Sequence, residues 1–436
     1  MSSDSPIYLD YHATTPCDPR VVECMLPAFQ ADFGNASSRQ HAFGQRAQEL
    51  VEHARRQVAE LLACEPAEIV FTSGATESIN LAIKGWLAKI VAAGRGPETP
   101  HVITVRTEHK AVLDACHTLE QDGVRVTYLG VDEEGLLRLE DLEAAITPDT
   151  VLVSVMAANN EIGTLQPVGE IGALCKAREI IFHCDAVQAL PYESCSVADV
   201  QADLVSISAH KIYGPKGIGA LFVRRRRPHV RLRALLDGGG HERGLRSGTL
   251  NVPGIVGMGK ACALVATGRD EDARNVRALR DRLHQRLVEA FPGLIVNGSM
   301  DQRLPNNLNV SLPGIDSERL LAVLEDVAIS SGSACSSASW DDSYVIKSLG
   351  TAGNETLSES ARRDRADRAR GALRFGLGRF TTEEEVDRAV QRIVDAAHQV
   401  RKSADTPNAD ACGESDCDTA SGTLSDGLAT GASQPS

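Results

Sequence analysis

The chain of 436 residues lacks an excess of positive charge: 45 lysines and arginines stand against 59 acidic residues, a formal net charge of -14. That balance argues against nucleic acid as a direct partner, because phosphate neutralisation needs a cationic face. The sequence also lacks an apolar run long enough to cross a bilayer and a signal-peptide pattern at its start. A cytoplasmic protein that does not enter a membrane is expected. Eleven cysteines occur without disulfide-like spacing, which suits a reducing compartment and a working thiol. No internal repeat is evident. From Ser403 to Ser436 large apolar residues are almost missing, so this tail cannot offset its own ordering entropy and is expected to be disordered. Cys412 and Cys417 lie in it as CGESDC, and read as incidental thiols because two cysteines do not complete a tetrahedral metal site.

What is present is an alternation of short apolar strands and helical stretches. Strands are expected near residues 69–72, 101–105, 124–130, 150–156, 180–185, 204–209 and 219–223. This is the pattern of an α/β fold, with a mostly parallel sheet covered by helices on both faces. From about residue 265 the pattern changes to helix, strand and long connection, as in a smaller α+β domain. The expected division is a large cofactor-binding domain at 16–264, a small domain made of 1–15 and 265–402, and the tail at 403–436.

Chemistry-bearing residues gather where these strands end. In SISAHKIYGP, residues 206–215, the alternation of Val205, Ile207 and Ala209 with Ser206, Ser208 and His210 predicts a half-buried strand. Lys211 then starts a loop that Gly214 and Pro215 close, where a Schiff-base lysine would sit. In HCDAVQ an acid, Asp185, ends an apolar run; a buried carboxylate there needs a positive partner, unless it only caps the next helix. Gln188 follows three residues later. In EIVFTSGATES a strand turns through Ser73, Gly74, Ala75 and Thr76 into a helix expected near Glu77, and such a helix start offers N–H donors and dipole to a phosphate. VSVMAANNEIG places Asn159, Asn160 and Glu161 at a strand's carboxyl end, the ligand side of a parallel sheet. HVITVRTE leads to His109 in the same way. GGGHERGLRSGTLNVPG, residues 238–254, is a glycine-rich loop with Arg243, Arg246, Ser247 and Thr249 as donors, or else a flexible lid. In ISSGSACSSAS the small, hydroxylated neighbours of Cys335 suit an accessible nucleophile more than a core thiol. In ALRFGLGRF, Arg374 stands among apolar residues, where a guanidinium needs an anion to grip; a substrate carboxylate would supply it. The run Arg224–Arg227 with Arg231 and Arg233 is a solvated strand end or a dock for an acidic acceptor protein.

Together these segments resemble the cysteine desulfurases, IscS/NifS-like members of the class V aminotransferase group. The resemblance runs from IYLDYHATTPCDPR at residue 7 to LGRFTTEEE near residue 385, and SSGSAC is similar to the long-loop branch. It implies the aminotransferase-like, type I fold of pyridoxal phosphate enzymes, pyridoxal 5'-phosphate as cofactor, and a homodimer. It further implies that Lys211 forms the Schiff base, that Asp185 binds the pyridine nitrogen and Gln188 the phenolic oxygen, and that His109 stacks on the ring and moves protons. Ala75, Thr76, Ser208 and His210 would hold the phosphate, joined by Thr249 from the partner subunit. Asn160 would contact cofactor and substrate, and Arg374 with Asn35 would bind the substrate carboxylate. Cys335 would take the sulfur of L-cysteine as a persulfide, leave L-alanine, and pass the sulfur to an acceptor for iron–sulfur cluster assembly or tRNA thiolation. As a transient iron–sulfur ligand, Cys335 would be shared with a scaffold protein.

Some residues depart from the family pattern. His12 and Cys17 replace smaller or apolar residues of the opening motif and look harmless, while Val187 removes a donor beside Asp185. The segment SESARRDRADRARGA lengthens the connection between Cys335 and Arg374 and reads as a solvated helix. Two rivals remain: a pyridoxal phosphate enzyme of different outcome, such as a selenocysteine lyase or aminotransferase, which would not need Cys335, and a non-catalytic platform that recruits scaffold proteins.

Overall fold

The computed structural model describes residues 5–94, 96–331, 342–354 and 356–405. In chain order its strands are β1 (Ile7–Tyr8), β2 (Ile69–Thr72), β3 (His101–Val105), β4 (Arg125–Leu129), β5 (Thr150–Met156), β6 (Ile181–Asp185), β7 (Leu204–Ser208), β8 (Gly219–Val223), β9 (Ile295–Val296), β10 (Asn307–Ser311), β11 (Val327–Ala328) and β12 (Ala372–Gly376). The main sheet has seven strands in the order β2-β8-β7-β6-β5-β3-β4. Only β8 runs antiparallel to its neighbours, so the other six strands end on one edge.

Burial in β7 departs from the expected half-buried strand: Leu204 through Ser208 are all buried. The alternation is real, but both faces are covered. Val205 and Ile207 belong to one apolar layer, with Val51 and Val58 of the helix Ala42–Leu62. Leu204 belongs to the other, with Ile79 and Ile83 of the helix Ala75–Ala92. Ser206, between them, is satisfied inside the protein, since its Oγ lies 2.9 Å from His183 Nε2, and His183 Nδ1 lies 2.8 Å from Ser154 Oγ. Ser154, His183 and Ser206 therefore form a buried polar ladder across three strands.

A second core gathers around β10 and β12, which pair antiparallel with Asn309 opposite Arg374, and β9 joins the far side of β10. The start of the chain comes to this unit: β1 pairs parallel with β11, and Asp10 bridges to Gly376. A 39-residue helix, Val252–Ala290, connects the cores, with Ile255 and Met258 in the first and Leu283 and Leu287 in the second. The expected boundary between residues 264 and 265 falls inside this continuous helix. The charged segment forms a helix, Glu359–Arg370, that is mostly exposed, yet its Arg365 is buried and paired with Glu133. Cys335, Cys412, Cys417 and the tail beyond residue 405 lie outside the described residues.

Candidate active site

The carboxyl ends of β2, β3, β5, β6 and β7 converge on a cavity of about 550 Å³, the edge where parallel sheets bind ligands. The cavity is lined by Ala75, Thr76, His109, Asn160 and Asp185. Gln188, Ser208, His210 and Lys211, also expected at the site, line it too. Nine positions spread over 137 residues of sequence, 75 to 211, thus share one wall-to-wall space. Lys211 closes a single 3-10 turn, Ala209–Lys211, immediately after β7. It is not the first residue of a loose loop: its Nζ donates to His12 O and, at 2.8 Å, to Ala13 O.

Asp185 ends β6 at 5% exposure, and its Oδ1 accepts from the Val187 N–H at 3.0 Å. Burial pushes the carboxyl up from its ordinary value, while that N–H, His109 and Lys211 pull it down. His109 sits at the start of the helix Lys110–Gln121, where Nδ1 accepts from Ala111 N–H at 3.1 Å. The ring proton of neutral His109 is therefore on Nε2. Burial lowers the His109 pKa, with Asp185 opposing. His210 is lowered to about 4 by burial and by Lys211 and Lys216, and its Nδ1 lies 3.1 Å from Thr14 Oγ1.

On the cavity wall the helix Ala75–Ala92 starts at Gly74, a cap without a side chain, so the first backbone N–H groups are left for an incoming anion. The turn lies close against the sheet: a Cβ at Gly219 would meet Gly74 Cα at 2.7 Å, so glycine is required there. Glu77 accepts from Ser73 N–H at 2.7 Å and pairs with Arg246 at 3.0 Å, which ties the glycine-rich loop to this helix start. That loop is no loose lid. Glu242 within it is buried, bridges Arg55 at 2.7 Å and accepts from Phe71 N–H at 2.8 Å.

Other expected residues lie elsewhere. Arg374 is fully buried and already holds an anion, with Nη2 2.9 Å from Asp10 Oδ1 and Nη1 donating to Asn160 O at 3.2 Å. The anion that a guanidinium among apolar residues needs is supplied within the chain by Asp10. Asn35 is exposed and its Oδ1 caps Ser37 N–H at 2.9 Å, away from the cavity lining. Thr249 is also exposed and not among the lining residues. Asn159 and Glu161 are structural: Asn159 Oδ1 accepts two backbone N–H groups, and Glu161 accepts from Ser343 Oγ at 2.5 Å.

Several residues at the site were not foreseen. Ala13, Thr14 and Lys216 line the cavity. Glu108 is fully buried behind His109; its Oε1 accepts from Met156 N–H at 2.6 Å, and burial pushes its carboxyl well up. The TEHK string carried that signal, since an acid on an apolar strand end needs an explanation. His12 is not a harmless departure: at 1% exposure it touches Gln188 on one ring nitrogen and Asn307 on the other. Among the described residues no group of three or more His, Cys, Asp or Glu could hold a metal ion, and no helix is long and apolar enough to cross a membrane.

Comparison with known proteins gives a consistent picture. The class-V aminotransferase family model matches residues 7–389. A protein named cysteine desulfurase IscS from Anaeromyxobacter dehalogenans (strain 2CP-C) is 52% identical over 397 residues, covering 91% of this chain and 94% of its own. A cysteine desulfurase from Rattus norvegicus is 48% identical, covering 91% of this chain and 84% of its own. Among solved structures a NifS-like protein superposes with a TM-score of 0.78 at 37% identity, covering 89% of this chain and 98% of that one. SspA in complex with cysteine gives 0.73 at 36% identity, with coverage of 86% and 100%.

Proposed function

We propose the following function: the chain belongs to the class-V aminotransferase family, and it acts as a pyridoxal-phosphate-dependent cysteine desulfurase that converts L-cysteine to L-alanine. The observation that carries the assignment of the site is the single cavity shared by Lys211, Asp185, His109 and the open helix start at Ala75. These residues fit the cofactor. A buried carboxylate facing a cavity calls for a cationic partner, and an uncapped helix start calls for an anion. When bound, the cofactor supplies an electron sink for the carbon next to the substrate amine.

In this reading Ala75, Thr76, Ser208 and His210 hold the phosphate, Asp185 faces the pyridine nitrogen, Gln188 the phenolic oxygen, and His109 stacks on the ring. Lys211 is the amine that anchors the cofactor and then the base that moves the substrate's alpha proton. Arg374 receives the substrate carboxylate in competition with Asp10, with Asn160 beside it and Asn35 assisting. The Cys335 thiolate attacks the substrate sulfur; the carbon–sulfur bond breaks with its electron pair left on the substrate, and a persulfide remains on Cys335. The persulfide passes to a sulfur acceptor, an iron–sulfur scaffold or a tRNA-thiolation relay, in the cytoplasm.

A homodimer is part of the proposal. On the helix Pro19–Gln30, Val22, Leu26 and Phe29 are 43%, 51% and 61% exposed, and Phe33 and Phe43 beside them are 64% and 55% exposed. An apolar face of this kind is a subunit surface more than a solvent surface. An exposed Thr249 on a pinned loop suits a phosphate contact in the partner's cavity. Arg225 and Arg226, at the far end of β8 and so on the sheet edge opposite the cavity, remain available to an acidic partner.

The test is sulfide and alanine production from L-cysteine with a thiol reductant. Equal amounts of both, from a yellow protein, are expected. The Cys335→Ser variant should keep the colour and lose sulfide release; undiminished turnover in that variant would favour a selenocysteine lyase or aminotransferase. A colourless wild-type protein after loading with excess cofactor would refute the site.

A further inference from the structure

We propose that His12 is a positioning residue that fixes Gln188 as a hydrogen-bond donor toward the phenolic oxygen of the bound cofactor, through a chain whose polarity starts at Arg303. The inference rests on the reading that the cavity holds pyridoxal phosphate with Gln188 at that oxygen.

The chain can be followed atom by atom. Arg303 is 1% exposed and can only donate. Its Nε donates to Ser299 O at 2.7 Å, its Nη2 to Asn297 O, and its Nη1 to Asn307 Oδ1 at 2.9 Å. The amide oxygen of Asn307 is thereby claimed by the guanidinium. Its Nδ2 must face the other way, where it meets Glu161 O at 3.1 Å and His12 Nε2 at 3.0 Å. An amide nitrogen also only donates, so His12 Nε2 is the acceptor. The proton of the neutral ring then sits on Nδ1, 3.1 Å from Gln188 Oε1.

This settles which way the Gln188 amide points. Its oxygen accepts from His12 Nδ1–H, and its Nε2 donates one hydrogen to His12 O at 3.1 Å. The second N–H is what Gln188, a lining residue, has left to offer the cavity. Without the His12 ring the amide loses the donor to its oxygen and is held only through its Nε2, by the backbone carbonyl of residue 12, so its orientation rests on one anchor in place of two. A charged His12 would set a second N–H against the Asn307 amide. Its surroundings oppose that charge: burial first, then Arg374 and Lys211, bring its pKa down to about 3 despite the hydrogen bonds of Gln188 and of the Asn306 backbone.

The chain also crosses between the two cores. Arg303 and Asn307 belong to the region of β10, whereas Gln188 follows β6. His12, on the segment after β1, stands between them and lends its own carbonyl to Lys211. One residue thus orients a cofactor contact through its ring and holds the lysine through its backbone carbonyl.

The test is the pH midpoint of the visible absorption band of the cofactor-loaded protein, together with cofactor affinity measured by titrating the cofactor-free protein. An N–H donor at the phenolic oxygen stabilises its negative charge and weakens its hold on the proton it shares with the lysine-derived nitrogen. Losing the donor should raise the midpoint by about one pH unit. Gln188→Ala should show this rise in full, His12→Leu should show a measurable part of it, and the double variant should move no further than Gln188→Ala. His12→Asn, whose amide nitrogen takes the place of Nδ1–H, should keep the wild-type midpoint. If His12→Leu does not fold, His12→Ala carries the comparison. An unchanged midpoint in the His12 variants beside a shifted one in Gln188→Ala overturns the inference and leaves the cofactor reading standing. A wild-type protein that takes up no cofactor overturns both.

Discussion

At the carboxyl edge of the seven-stranded sheet, Asp185 and Lys211 face a cavity of about 550 Å³, whereas in the three-stranded sheet Arg374 is fully enclosed and holds Asp10 at 2.9 Å. Both places concentrate charge away from water, but they treat it differently. The first keeps acid, amine and helix N–H groups around a volume large enough for a ligand, so binding can add to the contacts they already make. The second already holds a carboxylate of the protein, Asp10, so an incoming carboxylate must share or displace it. A site built like the first binds through the room it leaves beside its charges, and a site built like the second discriminates through what must be displaced.

Removing Lys211 should break the cavity most completely. In Lys211→Ala we expect loss of the visible band and a fall of at least about 10³-fold in alanine formation; retained turnover would show that another base does this work. The next largest effect is acid. Burial holds His12 and His183 near a pKa of about 3, below the ordinary value of 6.5. Below pH 6.5 the unfolded chain takes up their protons and the folded protein does not, so stability falls as pH falls, by about 1.4 kcal/mol per pH unit for each histidine. His183 lies in β6 between Ser154 of β5 and Ser206 of β7, whereas Arg374 of β12 does not titrate there, so hydrogen exchange at pH 5 should accelerate in β5–β7 before β12. The reverse order would sink the contrast. Asp185→Asn should weaken cofactor binding by about 10- to 100-fold, read by titration of the cofactor-free protein, with the fold unchanged.

How much of this was written in local pattern differs between the two places. The strand set of the large sheet was legible within a residue or two, because buried parallel strands read as short apolar runs between turn residues. Most cavity residues were legible for the same reason: each ends a strand or starts a helix, and those ends share an edge. The antiparallel course of β8 was not, since pairing direction leaves no local mark. Nor was the burial of Ser206, whose partner His183 is 23 residues away. His12 and Asp10 were missed as site residues because what they touch, Asn307 and Arg374, lies 295 and 364 residues further on. Composition around Arg374 indicated that an anion was needed, but not which one.

The smallest expected effect is the most specific for the second place. Asp10 is a carboxylate 17% exposed beside a guanidinium that is wholly buried, and its backbone is held by the Tyr8 hydroxyl at 3.1 Å. If Arg374 receives the substrate carboxylate, Asp10 opposes it twice, by neutralising part of the guanidinium charge and by repelling the second carboxylate. Asp10→Asn keeps a hydrogen-bond acceptor facing Arg374 and removes only the charge, so KM for L-cysteine should fall by about threefold to tenfold, the effect of about 1 kcal/mol in a partly exposed pair. The value of kcat should change little, because the interaction gained is made in both ground and transition state. A rise in KM would mean that the charge of Asp10 is needed to hold Arg374 in place, making it a support for substrate binding and not a competitor. A KM that does not move, with a lowered thermal midpoint, would make the pair structural and remove Arg374 from the substrate's path.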